Sequence, residues 1–221
     1  MKFLNLIVIL LPWKFRRWLL IKIWRYDIHP TARIGLSYIY PKHLVMKEGS
    51  RIGHFNVAIH FDYMEIGRNS SIARSNWITG FPTNTTSKHF SHQLNRKSEL
   101  IIGNESAITK YHHLDCTNQI HIGNFVTVAG YRSQFLTHSI DIYENRQNSQ
   151  PIKIGDYCFV STQVVVLGGS ILPAYSVLGA GAVLNKSYQE EWKLYAGVPA
   201  AIVKEISRES KYFHRKNGFV Y

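Results

Sequence analysis

Cysteine is scarce: Cys116 and Cys158 are the two in 221 residues. Two cysteines make no disulfide framework, and a reducing compartment is the expectation. Acid is missing from one end. Residues 1–26 hold Lys2, Lys14, Arg16, Arg17, Lys22 and Arg25 and no Asp or Glu. No apolar run reaches the ~20 residues that cross a bilayer. The nearly apolar stretch 1–11 stops at Pro12, with Lys14 close behind. No small-residue cleavage site follows it, so a removable leader is not expected. Neither a Gly-x4-Gly-Lys-Ser/Thr loop nor a Gly-x-Gly-x-x-Gly turn occurs, which removes the common nucleotide-phosphate cradles.

What is present is a six-residue period. Ile154, Val160, Val166, Leu172, Leu178 and Leu184 share one phase. Four residues after each of the first five stands a small residue: Cys158, Val164, Ser170, Ser176 or Ala182. No helix repeats every six residues, and a simple strand alternates every two. Six-residue units with one aliphatic and one small inward position describe the flat sides of a three-sided coil, the signature of a parallel β-helix. With 45% hydrophobic residues, the chain can fill such a core.

The period starts at Ile28 and Ile34, with Ala32 as the small partner, and breaks near Tyr40-Pro41. It resumes through Ile52, Ile66, Ile72 and Ile78, then through Ile102, Ile108 and Leu114, then Ile122, Val128 and Gln134. In that phase His138 falls on a small inward position. Residues 80–98 and 140–151 lose the pattern and read as loops pushed out from corners; long loops in compact domains are often functional. Without them roughly 125 residues remain, or about seven turns of eighteen. At ~4.8 Å per stacked strand the prism is about 33 Å tall.

The division expected is an N-terminal helical segment 1–27, a β-helix 28–186 and a C-terminal tail 187–221, helical over 200–211. If Trp13–Arg25 is helical, Phe15, Leu19 and Ile23 align, with Leu20 and Trp24 beside them. Arg16, Trp18 and Ile21 blur that separation. Trp and Arg on one short segment suit a helix lying in a membrane interface; the same helix could cover the open end of the coil. The formal charge of +12 gathers at the termini. Basic ends suit an anionic membrane or phosphate-bearing ligands, or form a solvated basic surface. No aromatic–basic module supports nucleic-acid binding.

The run IGDYCFVSTQVVVLGGSILPAYSVLGAGAVLNKS and the later YAGVPAAIV resemble the left-handed β-helix acyltransferases, in particular the sugar O-acetyltransferases of polysaccharide gene clusters. The likeness covers most of 28–206. It implies a left-handed helix, a homotrimer with sites at subunit boundaries, and acetyl-CoA as co-substrate. It also implies a histidine base just before the Pro-Ile-x-Ile-Gly-Asp segment, which here is His138 in LTHSID. Histidine suits the chemistry, because acyl transfer to a hydroxyl needs a base that works near neutral pH.

In YHHLDC, His112, His113 and Asp115 are the candidate acceptor-binding residues. The galactoside type carries an asparagine near Thr109, where this chain departs. Donor positions carried over are Phe159, Thr162, Gly179, Ala180, Asn185 and Lys186. An arginine often follows the Gly-Val-Pro-x motif, but Ala201 stands there, and Lys204 is the substitute. Main-chain amides near Gly179-Ala180 or Thr162 are candidate oxyanion donors.

A γ-type carbonic anhydrase shares the prism and needs His-x4-His, but no two of the eleven histidines stand five apart. No metal is expected. The reading is an acetyl-CoA-dependent O-acetyltransferase acting on a sugar or lipid-linked saccharide. The expected location is the cytoplasm, peripheral to the inner face of the membrane. The alternatives are a non-catalytic β-helix scaffold and an acyltransferase to an amino sugar or small acceptor.

Overall fold

The computed structural model describes residues 2–220. Two helices, α1 (Lys2–Ile9) and α2 (Trp13–Lys22), precede a continuous coil of short strands. The strands stack into three parallel faces. The first runs from Asp27–Ile28 to Ile171–Leu172 and has seven strands. The third also has seven, from Tyr38–Tyr40 to Val183–Leu184. The second begins at Arg33–Ile34 and has nine, because a terminal hairpin extends it. The result is a left-handed parallel β-helix of seven coils. The break at Tyr40-Pro41 does not interrupt it, since Tyr38–Tyr40 pairs in register with Val57–Ile59.

The six-residue phase becomes the core. Ile154, Val160, Val166, Leu172, Leu178 and Leu184 are fully buried, and so are their small partners. Buried hydroxyls there need partners. Ser106 Oγ donates to Gly123 O at 2.8 Å and Ser170 Oγ to Leu184 O at 2.9 Å. The edge between the first and second faces carries Phe125, Tyr157, Tyr175 and Trp192, all at φ between 55° and 59°. That left-handed backbone is costly for large side chains. Ring stacking offsets it: successive centroids lie 4.5, 5.3 and 4.6 Å apart.

Four expectations are corrected. Phe135, not Gln134, faces inward, because the corner after Val128 holds one extra residue, with Gly130 at φ 71° and Arg132 at φ 58°. That shift turns His138 outward. Residues 140–151 are not a plain loop. His138–Asp141 pairs antiparallel with Arg146–Ser149 in a hairpin, whose turn is closed by Asp141 Oδ1 accepting from Tyr143 N and Glu144 N at 3.1 Å.

The tail is strand where helix was expected. Ala200–Glu205, with β-branched Ile202 and Val203, folds back on Lys193–Gly197, which itself joins Val177–Leu178. Helix is confined to a 3-10 turn at Lys211–His214. Beyond it the tail climbs the aromatic edge. Arg215 lies 4.0 Å from the Tyr212 ring centroid, and Gly218 N donates to Glu105 Oε2 at 2.8 Å.

Finally, α2 is rotated from the expected alignment. Arg16 and Leu20 are its buried residues, while Phe15, Trp18 and Ile23 are about half exposed. Arg16 does not spoil the helix; it anchors it, donating to Gly35 O at 2.7 Å and Ser37 O at 2.8 Å across the first coil. Among the described residues no helix is long and apolar enough to cross a membrane.

Candidate active site

His138 begins the extruded hairpin, at the edge where the third face turns into the first. Its ring is 41% exposed. Nε2 donates to Gln147 Oε1 on the opposing hairpin strand. Nδ1 faces Asp115 Oδ2 at 3.9 Å. Asp115 sits on the strand His113–Asp115, directly beside Leu136 in the ladder. Its other oxygen is fixed: Oδ1 accepts from Thr117 N at 3.0 Å and Thr117 Oγ1 at 2.6 Å. Only Oδ2 is thereby left turned to the imidazole. The Asp115 carboxylate lies beyond hydrogen-bond distance of Nδ1 but close enough to face any positive charge that forms on the ring. The arrangement therefore suits a general base.

The segment 80–98 forms the wall beside this ring. Phe90, nearly buried, packs edge-on against His138 with centroids 5.4 Å apart. Arg96 lies 4.7 Å over Phe90 and donates to Phe81 O at 2.5 Å, Pro82 O at 2.9 Å and Thr117 O. Burial pushes that guanidinium below its ordinary range. Gln93 ties the wall to the hairpin, donating to Asn148 Oδ1 and Ser149 O at 2.9 Å and accepting from Ser149 Oγ at 2.6 Å. Phe90, Gln93 and Gln147 carry no motif. The departure of 80–98 and 140–151 from the six-residue phase was the only sign that they matter.

The other acceptor candidates separate. His113 and Asp115 point out from the same face, since strand side chains alternate; His113 neighbours Trp77 and Gln134 at the far end of the strand. His112 points inward and is 1% exposed. Thr109 Oγ1 lies 2.9 Å from its Nε2, and Nδ1 accepts from Ser133 N at 3.1 Å. Burial lowers its pKa to about 4. His112 is a structural bracket of the coil, and the geometry does not bring it to the acceptor surface. Both cysteines are fully buried, and burial raises Cys158 to about 12 and Cys116 well above its ordinary value.

The donor candidates lie on two edges. Thr162 and the turn Gly179-Ala180 share the edge between the second and third faces, where Gly181 N donates to Thr162 O at 3.1 Å. Gly179 N is committed to Tyr195 O at 2.7 Å, so it is not an oxyanion donor here. Asn185 and Lys186, both exposed, follow Val183–Leu184 on the His138 edge, two rungs below it. Phe159 projects from the second face and meets Tyr212 of the tail at 5.8 Å. Lys204 lies exposed on the terminal hairpin, opposite Leu194. One chain does not unite these positions.

No protein-family model matches the chain. It is similar to the galactoside O-acetyltransferase of Escherichia coli (strain K12), with 29% identity over 100 residues, or 43% of this chain and 49% of that enzyme. The chain thus matches about half the length of that relative. Among solved structures, the polySia-specific acetyltransferase NeuO superposes with a TM-score of 0.53 at 17% identity, covering 84% of each chain. A hexapeptide transferase family protein from Anaplasma phagocytophilum gives 0.51 at 18% identity, covering 86% of this chain and 85% of its own. These two share the fold: hexapeptide-repeat transferases are built on the same prism.

Proposed function

We propose that this protein is an acetyl-CoA-dependent O-acetyltransferase acting on a saccharide hydroxyl, with His138 as general base. The observation that carries the reading is the exposed imidazole held between Asp115 and Gln147 under the Phe90 wall. The acceptor hydroxyl takes the place of Gln147 at Nε2. His138 removes its proton, and the oxygen attacks the thioester carbonyl. The tetrahedral intermediate collapses, the carbon–sulfur bond breaks, and the imidazolium returns the proton to the leaving thiolate. Asp115 orients the ring and balances its charge.

The split of donor positions between two edges supports a homotrimer. In that assembly Thr162, Gly179 and Ala180 of one prism would face His138, Asn185 and Lys186 of the next. Acetyl-CoA would lie between them, near Phe159 and Lys204. The similarity to a galactoside O-acetyltransferase supports a sugar acceptor. Peripheral attachment to the cytoplasmic side of a membrane, through the basic N-terminal segment, would place the enzyme where lipid-linked saccharides of surface polysaccharides are assembled.

The test is free-thiol release from acetyl-CoA across a panel of sugars and lipid-linked saccharides. His138→Ala should lower turnover by about 10²–10⁴ while the fold and its oligomeric state persist. No release with any acceptor would favour a non-catalytic scaffold, whereas unimpaired turnover by the His138→Ala protein would keep the transferase and overturn His138 as its base.

A further inference from the structure

We infer that the N-terminal end of the prism is a docking face for an anionic lipid bilayer, and that the β-helix stands on it end-on. The inference deepens the membrane contact proposed above by fixing the surface and the orientation, and its acceptor consequence rests on the transferase reading. Helix α2 lies across the first coil, pinned by Arg16 and by Arg17, which donates to Ile28 O. At 3.6 residues per turn, Lys14, Trp18 and Lys22 fall on the side opposite Arg16 and Leu20, and Arg25 is exposed just past the end of the helix. Phe15 stacks on Trp18 there at 5.7 Å.

Helix α1 and the turn after it behave the same way. Val8 is buried, while Leu6 and Ile7 are 55% exposed and Leu10 78%. Apolar side chains gathered on one surface mark an interaction site. Aromatic and aliphatic groups rimmed by Lys and Arg match the water–lipid boundary. Two arguments choose the occupant. The segment has no anion, and with Arg16 and Arg17 committed to the first coil its exposed cations Lys14, Lys22 and Arg25 complement anionic headgroups. A second copy of the same face would set those cations against their like.

The helices pack mainly on the strands of the first coil and bond to it at Ile28, Gly35, Ser37 and Tyr40, so lipid lies at the end of the prism and not along its side. On the third face, Gln134–Leu136 is four rungs from Tyr38–Tyr40. Four rungs are about 19 Å, and a helix layer adds about 10 Å. His138 therefore stands about 29 Å from the lipid surface. The acceptor that reaches it is a lipid-linked saccharide several sugars long, and a sugar next to the headgroup falls short.

The full-length protein is tested by co-sedimentation with vesicles of phosphatidylcholine alone or mixed equally with phosphatidylglycerol. Binding to the anionic vesicles alone is expected. Lys14→Gln with Lys22→Gln should weaken it about 30-fold, some five-fold per lysine. Phe15→Ser with Trp18→Ser should abolish it with the thermal midpoint retained, since both rings are exposed. Wild-type protein left in the supernatant, lysine variants that bind as tightly as wild type, or a Phe15→Ser, Trp18→Ser protein that still sediments would overturn the docking face.

Orientation is read by energy transfer from single labels to a lipid dye, using Leu36→Cys, Ser139→Cys and Gln189→Cys; Cys116 and Cys158 are buried and stay unlabelled. Transfer should fall in that order, and equal transfer from all three would overturn the end-on stance. None of these measurements uses acetyl-CoA, so docking and catalysis fail separately. In vesicles, thiol release should rise with the length of a lipid-linked saccharide. A maximum at one sugar would overturn the acceptor consequence.

Discussion

Phe90 and His138 meet edge to face, their planes 75° apart and their centroids at 5.4 Å. One ring belongs to the segment 80–98 and the other to the hairpin 138–149, so the wall and the base are one packed unit. The other side of Phe90 is closed by Arg96 and Phe81, at 4.7 and 5.5 Å. Truncating such a buried ring to Ala costs about 3–5 kcal/mol where the surroundings cannot collapse. Phe90→Ala should therefore raise amide hydrogen exchange across 81–97 while the strand ladder stays protected. Turnover should fall about tenfold as the imidazole loses its wall. Phe90→Leu should restore most of the protection.

Asp115→Asn separates two roles. The amide keeps an oxygen for Thr117 and removes the charge facing Nδ1. If Asp115 serves the base, kcat should fall about tenfold or more, part of the ~10²–10⁴ that a general base supplies. The KM for the acceptor should then be little changed. A raised acceptor KM at constant kcat would instead assign the carboxylate to acceptor binding. Steady-state kinetics with the acceptor varied decides.

The column was legible because a six-residue period has one simple geometric solution. Ile154 through Leu184 announced their burial, and the small residues between them announced the corners. The site was half legible. His138 and Asp115 stood in readable strings, but the extra corner residue before Ser133 disguised which way His138 points. Gln147 and Phe90 were hidden because a hairpin and a side-chain wall are tertiary facts without a period. Arg16 misled for a similar reason. A helical wheel scores a guanidinium as polar and cannot see the open carbonyls of Gly35 and Ser37 that it satisfies.

That latch gives the third prediction. Arg16→Ala deletes both donors and leaves the Ser37 carbonyl in a buried setting without its partner. An unsatisfied buried polar group costs about 1–3 kcal/mol. The helices should detach first, because their main packing is on the first coil. Limited trypsin digestion should then cut within residues 14–25 while the rest of the chain resists. Vesicle binding should weaken in parallel, because Trp18 and Lys22 lose their fixed orientation. Resistance equal to the wild type would show that Leu20 and Val8 hold the helices without the arginine.

Acid stability tests the inward histidine. His112 is buried neutral, with a pKa lowered from 6.5 to about 4 by desolvation. The unfolded chain takes up this proton below about pH 6.5, and the folded chain resists it until about pH 4. The unfolded state thus binds more protons across that window, and folding stability must fall as pH falls through it. The contribution is fully present above pH 6.5 and amounts to about 3 kcal/mol, at 1.36 kcal/mol per pH unit. Urea unfolding at pH 7 and pH 4 should show the wild type losing about that much more than His112→Gln, whose amide can still accept from Ser133 N–H. Acetyl transfer at pH 7 should survive the substitution, since the ring never reaches the surface. An equal acid loss in both proteins would mean that the histidine protonates in place, and the coil would then have to open at Thr109 and Ser133 to admit the charge.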